Sequence, residues 1–130
     1  MSFEPIDPQL DRLATEVVDA AYKVHKTFGP GLLETAYEMC LVLEMRKRGL
    51  KVERQVAIPL VYEGETVEAA FRIDLLIEDQ LVVELKAVEK LLPLHEAQTM
   101  TYLKITNRRL GLLINFNVPL IKDGIKRVIL

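Results

Sequence analysis

The sequence predicts an α/β sandwich in which helices flank a mixed central sheet, in the order helix, helix, three antiparallel strands, helix, strand. Three observations predict it. Apolar residues recur at three- and four-residue spacing up to Arg48, the period changes to two from Lys51, and a further helical stretch then precedes a short apolar run. With 130 residues, 50% hydrophobic and 28% charged, the chain reads as one globular domain spanning 1–130, without repeats or linkers. At this length roughly two-thirds of the unfolded surface can be buried, so a core can form without disulfides or a structural metal.

Asp7-Pro8 opens the first helix as N-cap and first helical residue, and Leu10, Leu13, Val17, Ala20, Ala21 and Val24 form its inner stripe. Phe28-Gly29-Pro30-Gly31 ends it. The second helix is expected from Leu32 to Arg48, with Leu33, Tyr37, Cys40, Leu41 and Met45 inward and Gly49 as its stop. Val52 to Val61 reads as a strand in which Pro59 marks an edge or bulge. Gly64 marks a turn, Val67 to Ile77 a second strand and Leu81 to Val88 a third. Pro93 starts a helix over Leu94 to Ile105, Arg109 to Asn115 is a buried strand, and Asp123-Gly124 turns the chain into an edge segment, Ile125 to Leu130.

Composition excludes some classes. Seventeen basic and nineteen acidic residues give a net charge of −2, so no global positive field marks a nucleic-acid binder, although local basic patches remain open. The lone Cys40 allows no internal disulfide or cysteine-based zinc site and fits a reducing, cytoplasmic setting. Met1 to Asp11 carries Glu4, Asp7 and Asp11 without a basic n-region, which argues against a secretory signal. The longest uncharged stretch, Leu110 to Ile121, is broken by Asn115, Asn117 and Pro119 and falls short of the ~20 residues of a membrane span, so no membrane role is expected.

Most chemical information lies between Phe71 and Lys86. A period of two sets Phe71, Ile73, Leu75 and Ile77 on one face of the second strand and Arg72, Asp74, Leu76 and Glu78 on the other. The three-residue connection Glu78-Asp79-Gln80 pairs Ile77 with Leu81, which sets Asp74 across from Glu84, with Lys86 on the same face. Opposed carboxylates need a counter-ion. Lys86 and Arg72 could supply it, and a hard divalent cation, Mg²⁺ or Mn²⁺, does so better. The other reading is a polar outer face laced with salt bridges.

Asp74 followed by Glu84-Leu85-Lys86 on the next strand resembles the PD-(D/E)XK nuclease signature, with Ile73 in place of its proline. Gly31-Leu32-Leu33-Glu34-Thr35-Ala36-Tyr37 resembles the motif of the GxxExxY family, a small branch of that superfamily. Gln98-Thr99-Met100-Thr101-Tyr102 is similar to the Q-x-x-x-Y helix of its exonuclease-like members. The resemblance runs from about Leu10 to Val128. It implies a restriction-endonuclease-like α-β-β-β-α-β fold and metal-dependent hydrolysis of DNA phosphodiester bonds. It further implies that Asp74, Glu84 and the Leu85 carbonyl hold Mg²⁺ or Mn²⁺, that Lys86 orients and helps deprotonate the attacking water, and that Glu34 adds a metal- or water-linked carboxylate. Gln98 and Tyr102, four apart on one helix face, would position Lys86 or a substrate phosphate.

Each residue has a structural alternative. Glu34 could serve the helix dipole, Tyr37 and Tyr102 could be core aromatics, and Gln98 could be plain helix surface. The alternative for the whole chain is a catalytically silent nuclease fold that binds nucleic acid or a partner protein. Hydrolysis of another phosphate ester is a third reading. A homodimer is open too, with Val128-Ile129-Leu130 either at its interface or finishing the chain's own sheet. His95-Glu96 lacks the second histidine of a zinc-protease motif because Thr99 stands there, His25 reads as a partner of its helix C-terminus, and Cys40 as buried and apolar. Basic clusters at Arg46-Lys47-Arg48 with Lys51 and Arg54, at Lys104, Arg108 and Arg109, and at Lys122, Lys126 and Arg127 could line a groove or be solvated surface.

Overall fold

Asp7 caps the first helix as its spacing predicts: its carboxylate accepts the Gln9 amide at 2.7 Å, and Pro8 takes the first helical position. The computed structural model describes residues 4–130, so the first three residues of the Met1–Asp11 segment lie outside it. The elements are α1 (Pro8–Phe28), α2 (Glu34–Lys47), β1 (Val52–Tyr62), β2 (Glu65–Ile77), β3 (Leu81–Lys86), α3 (Pro93–Thr106), β4 (Leu110–Asn115) and β5 (Ile125–Ile129), with a 3₁₀ turn at Ile121–Gly124. The predicted order of elements is the observed one.

The five strands form one sheet in the order β1-β2-β3-β4-β5. Only β3 and β4 run parallel, because α3 carries the chain back between them. α1 and α2 cover one face, where Val17, Ala21, Tyr37, Leu41 and Met45 pack on Leu75, Ile77, Val83 and Leu85. α3 covers the other, with Leu103 against Ile73, Leu76 and Val82. Gly111 permits that approach, since a Cβ there would sit 3.1 Å from the Thr99 methyl. The result is a three-layer α/β/α sandwich, the fold class the sequence predicts. Among the described residues no helix is long and apolar enough to cross a membrane.

Differences from expectation have local causes. α2 starts at Glu34 rather than Leu32 because Leu33 is extended, and Leu33 is 78% exposed instead of inward. Cys40 is only half-buried, at the margin of the core. β3 stops at Lys86 because the Asn115 side chain takes the Val88 amide at 3.1 Å and the Val88 carbonyl at 2.9 Å. The β1/β2 register shifts between Ile58 and Leu60, at Pro59, and β1 is an edge strand, as the proline implies. The C-terminus finishes the chain's own sheet: β5 pairs with β4, Val128 is buried and Leu130 packs on the α3-side core.

The face assignment along β2 needs correction. Ile73 packs under α3 with Leu76 and Val82, whereas Leu75 and Ile77 pack under α1 and α2, so the alternation reverses at Asp74. Across on β1, between the Arg54–Leu75 and Val56–Ile73 pairs, Gln55 has φ of +49°. A non-glycine residue in the left-handed region inside a strand is uncommon and re-aims its neighbours. Parity failed here because the sheet is buried on both sides, which leaves alternation nothing polar to follow.

Candidate active site

The β2/β3 ladder pairs Ile77 with Leu81, Leu76 with Val82 and Leu75 with Val83. Asp74 and Glu84 come next, and there the carboxylates take over the amides. The Asp74 N–H donates to Glu84 Oε1 at 3.0 Å, and the Leu85 N–H donates to Asp74 Oδ2 at 2.8 Å. Asp74 and Glu84 are thus brought together as the three-residue connection predicts. Glu84 is buried, 5% exposed, which excludes an outer polar face as its setting. Burial first, and then the Asp74 charge, push the Glu84 carboxyl up to about 9, against the opposing effects of the Asp74 amide and Lys86.

Lys86 ends β3 opposite Asn115, and its carbonyl accepts the Phe116 amide at 3.0 Å. Its charge lowers the pKa of both Glu84 and Glu34, which places the ammonium among these carboxylates. Among the described residues Lys86 makes no direct ion pair. Glu34, the first residue of α2, is near enough to Asp74 to feel it: desolvation and then the Asp74 charge raise its pKa, while Lys86 and the Ala87 amide lower it. On the opposite side, Tyr102 of α3 stacks edge-on against Phe71 at 5.6 Å. Its phenol is raised by burial and by the charges of Glu84 and Asp74. The junction of β2 and β3 therefore gathers Glu34, Asp74, Glu84, Leu85, Lys86 and Tyr102. Gln98, one turn before Tyr102, is exposed and makes no hydrogen bond to any of them.

A divalent cation suits this donor set. Two hard carboxylates face each other with one lysine for compensation, and a cation would relieve the repulsion that raises Glu84. No three His, Cys, Asp or Glu side chains among the described residues converge as a ligand group. A main-chain oxygen would have to complete the set.

Sequence reasoning missed the layer behind the site. Glu38, one turn after Glu34 and buried, accepts Arg54 Nη2 at 2.7 Å and Gln55 Nε2 at 2.7 Å, and Gln55 Nε2 reaches Asp74 Oδ1 at 3.4 Å. A carboxylate four residues from Glu34, beside buried Tyr37, was the available signal. Tyr37 itself is structural: its hydroxyl donates to the Gly29 carbonyl at 2.5 Å and accepts the Leu32 amide at 3.1 Å, and its ring stacks on Phe116 at 4.5 Å. His95 accepts the Leu92 amide at 3.0 Å and so caps α3. His25 stands in the last turn of α1, and its Nε2 donates to the Val118 carbonyl at 2.8 Å.

The basic clusters are largely engaged within the molecule. Arg48 pairs with Glu16, Asp19 and Glu44, Arg54 with Glu38, Arg108 with Asp79, Lys126 with Glu96 and Arg127 with Asp11. Lys26, Lys90 and Lys122 make no ion pair among the described residues.

Searches of curated proteins and of solved structures give no match. The sequence model of the PD-(D/E)XK nuclease superfamily, by contrast, matches residues 11–128, a span that holds every strand but the last residue of β5 and every residue of the carboxylate–lysine junction, and the chain belongs to that superfamily.

Proposed function

We propose that the chain is a nuclease of the GxxExxY branch that hydrolyses DNA phosphodiester bonds with Mg²⁺ or Mn²⁺. The observation that carries this reading is the end of the β2/β3 ladder, where the Glu84 carboxylate accepts the Asp74 amide and the Asp74 carboxylate accepts the Leu85 amide, next to Lys86. In this reading Asp74, Glu84 and the Leu85 carbonyl hold the cation. When bound, it supplies positive charge to the phosphoryl oxygens and makes a nearby water more acidic.

The remaining work falls to the chain. Lys86, next to the metal-holding residues and in no ion pair among the described residues, orients the attacking water, and its ammonium favours the hydroxide that the water becomes. Glu34 holds the water from the α2 side and Tyr102 positions the phosphate from the α3 side. Gln98 is assigned to the substrate, because its exposed side chain makes no hydrogen bond among the described residues. Cleavage of labelled DNA with Mg²⁺ or Mn²⁺, wild type against Glu84→Gln, tests the reading. Cleavage by wild type alone, abolished by chelator, is expected. Equal cleavage by both proteins, or by neither, would sink it.

A further inference from the structure

A cleft of about 550 Å³ lies between α1 and the segment Pro119–Lys122. Its walls are fixed: His25 of α1 holds the Val118 carbonyl, and the same segment leaves β4 through Phe116, whose amide bonds to the Lys86 carbonyl. The cleft and the carboxylate–lysine junction thus share the carboxyl ends of β3 and β4. Two features suit it to a nucleotide. Tyr22 and Leu120 line it with apolar surface 44% and 55% exposed, and Lys26 and Lys122 present cations that make no ion pair among the described residues. Arg48 and Asp19, also in its lining, pair with each other at 2.8 Å, so the net charge left to a ligand is positive. Exposed aromatic surface beside free lysines is the arrangement that takes an unpaired base and its phosphate.

We propose that this cleft binds a single-stranded stretch of the polynucleotide, with a base on Tyr22 and phosphates on Lys26 and Lys122. The proposal deepens the nuclease reading, on which it rests for the identity of the ligand, and it separates from that reading experimentally. Binding of a labelled single-stranded DNA of about 12 nucleotides is measured by fluorescence anisotropy in EDTA, where no metal-dependent cleavage occurs. The wild type is compared with Tyr22→Ala and with the double variant Lys26→Glu/Lys122→Glu. All three positions are exposed, and thermal melts check that the fold is kept.

Tyr22→Ala is expected to weaken binding ~10-fold. The charge reversal is expected to weaken it at least as much and to flatten the salt dependence by about two phosphate contacts. A free mononucleotide should compete far more weakly than the strand. Affinities within about twofold of wild type in both variants would overturn the proposal, as would undetectable binding by the wild type, or a mononucleotide that competes as well as the strand. Binding lost in the variants while wild type cleaves nothing would sink the nuclease reading and leave the cleft. Cleavage lost only in Glu84→Gln, with variant binding intact, would sink the cleft and leave the nuclease.

Discussion

Two acidic regions among the described residues are electrostatic opposites. At the far end of α2, Glu16, Asp19 and Glu44 surround Arg48 at 3.3, 2.8 and 2.9 Å. Hydrogen bonds from Arg48 and then Lys23 hold Glu44 below its ordinary pKa, and the carboxylates hold the Arg48 guanidinium above its own. At the β2/β3 junction Asp74 and Glu84 face each other with Glu34 nearby, Lys86 makes no ion pair among the described residues, and Glu34 and Glu84 are both raised. The residue types match; what differs is the counter-charge. Arg48 presents a planar fork that several carboxylates can share, whereas a lysine is a point charge on a flexible stem. The first cluster is finished by the fold, and the second is left short of positive charge.

If that shortfall is the site's purpose, the largest effects belong to catalysis. Asp74→Asn, Glu84→Gln and Lys86→Ala are each expected to lower DNA cleavage by ~10²-fold or more, since each removes a charge that acts on the reacting phosphate or its water. Arg48→Ala, which dismantles the satisfied cluster, should leave kcat at saturating DNA and a permissive temperature unchanged. A rate loss in Arg48→Ala as large as in Glu84→Gln would erase the distinction between the clusters.

Stability should move in the opposite sense. Arg48→Ala leaves three carboxylates without their common partner and is expected to cost about 1–2 kcal/mol, discounted for the exposure of Glu16 and Asp19. Glu84→Gln keeps an oxygen for the Asp74 amide and removes the cost of taking up a proton on folding, so the metal-free variant should be more stable than wild type at neutral pH. The pH dependence follows from the same shift. Glu84 moves from its ordinary 4.5 to about 9 on folding. Through that window the unfolded chain releases a proton that the folded chain keeps, so this group's contribution is full below the lower value and is lost as pH rises to the upper one. Chemical denaturation of metal-free protein across that range is expected to show wild type losing stability relative to Glu84→Gln. A constant difference would mean that Glu84 is already ionised.

A divalent cation should reverse the order. At a hundredfold excess over its Kd it would stabilise wild type by about 2.7 kcal/mol and Glu84→Gln by far less. Thermal shift with Mg²⁺ or Mn²⁺ reads this without any need for activity. Equal shifts in both proteins would place the cation elsewhere, with the salt-bridged cluster the first place to look.

How far the site was legible in the sequence depends on the range of the interactions that build it. Asp74 opposite Glu84 follows from a three-residue connection, because a tight hairpin fixes register over the next few pairs. Asp7 and Pro8 announce α1 for the same local reason, and Pro59 announces its irregular edge. The reversal of faces at Asp74 was illegible, since Ile73 and Leu75 are apolar alike and each finds a core to enter. The fate of the basic clusters was illegible too. Arg48 meets Glu16 and Asp19 of α1, Arg127 meets Asp11, and Arg109 reaches the Glu4 carbonyl, so each is engaged by chain contacts that composition cannot anticipate. Glu38 was hidden for a third reason: its partners Arg54 and Gln55 stand side by side on β1 and reach it together only because Gln55 adopts a positive φ.

The smallest effect, and the one that separates holding a residue from using it, concerns Tyr37. Its hydroxyl bridges Gly29 and Leu32, the two ends of the turn that delivers Glu34 to the junction. Tyr37→Phe keeps the stack on Phe116 and strands one amide and one carbonyl, a loss of about 1 kcal/mol. If the turn sets the place of Glu34, kcat should fall roughly tenfold with KM little changed, because a carboxylate displaced by a fraction of an ångström still permits binding. Stability alone cannot establish this, since any core change lowers it. The decisive comparison is made in a Glu34→Gln background. There Tyr37→Phe should still lower the melting temperature but should no longer lower the rate, since the group through which it acts is gone. A further rate loss in the double variant would mean that the Tyr37 hydroxyl reaches the reaction by some route other than Glu34.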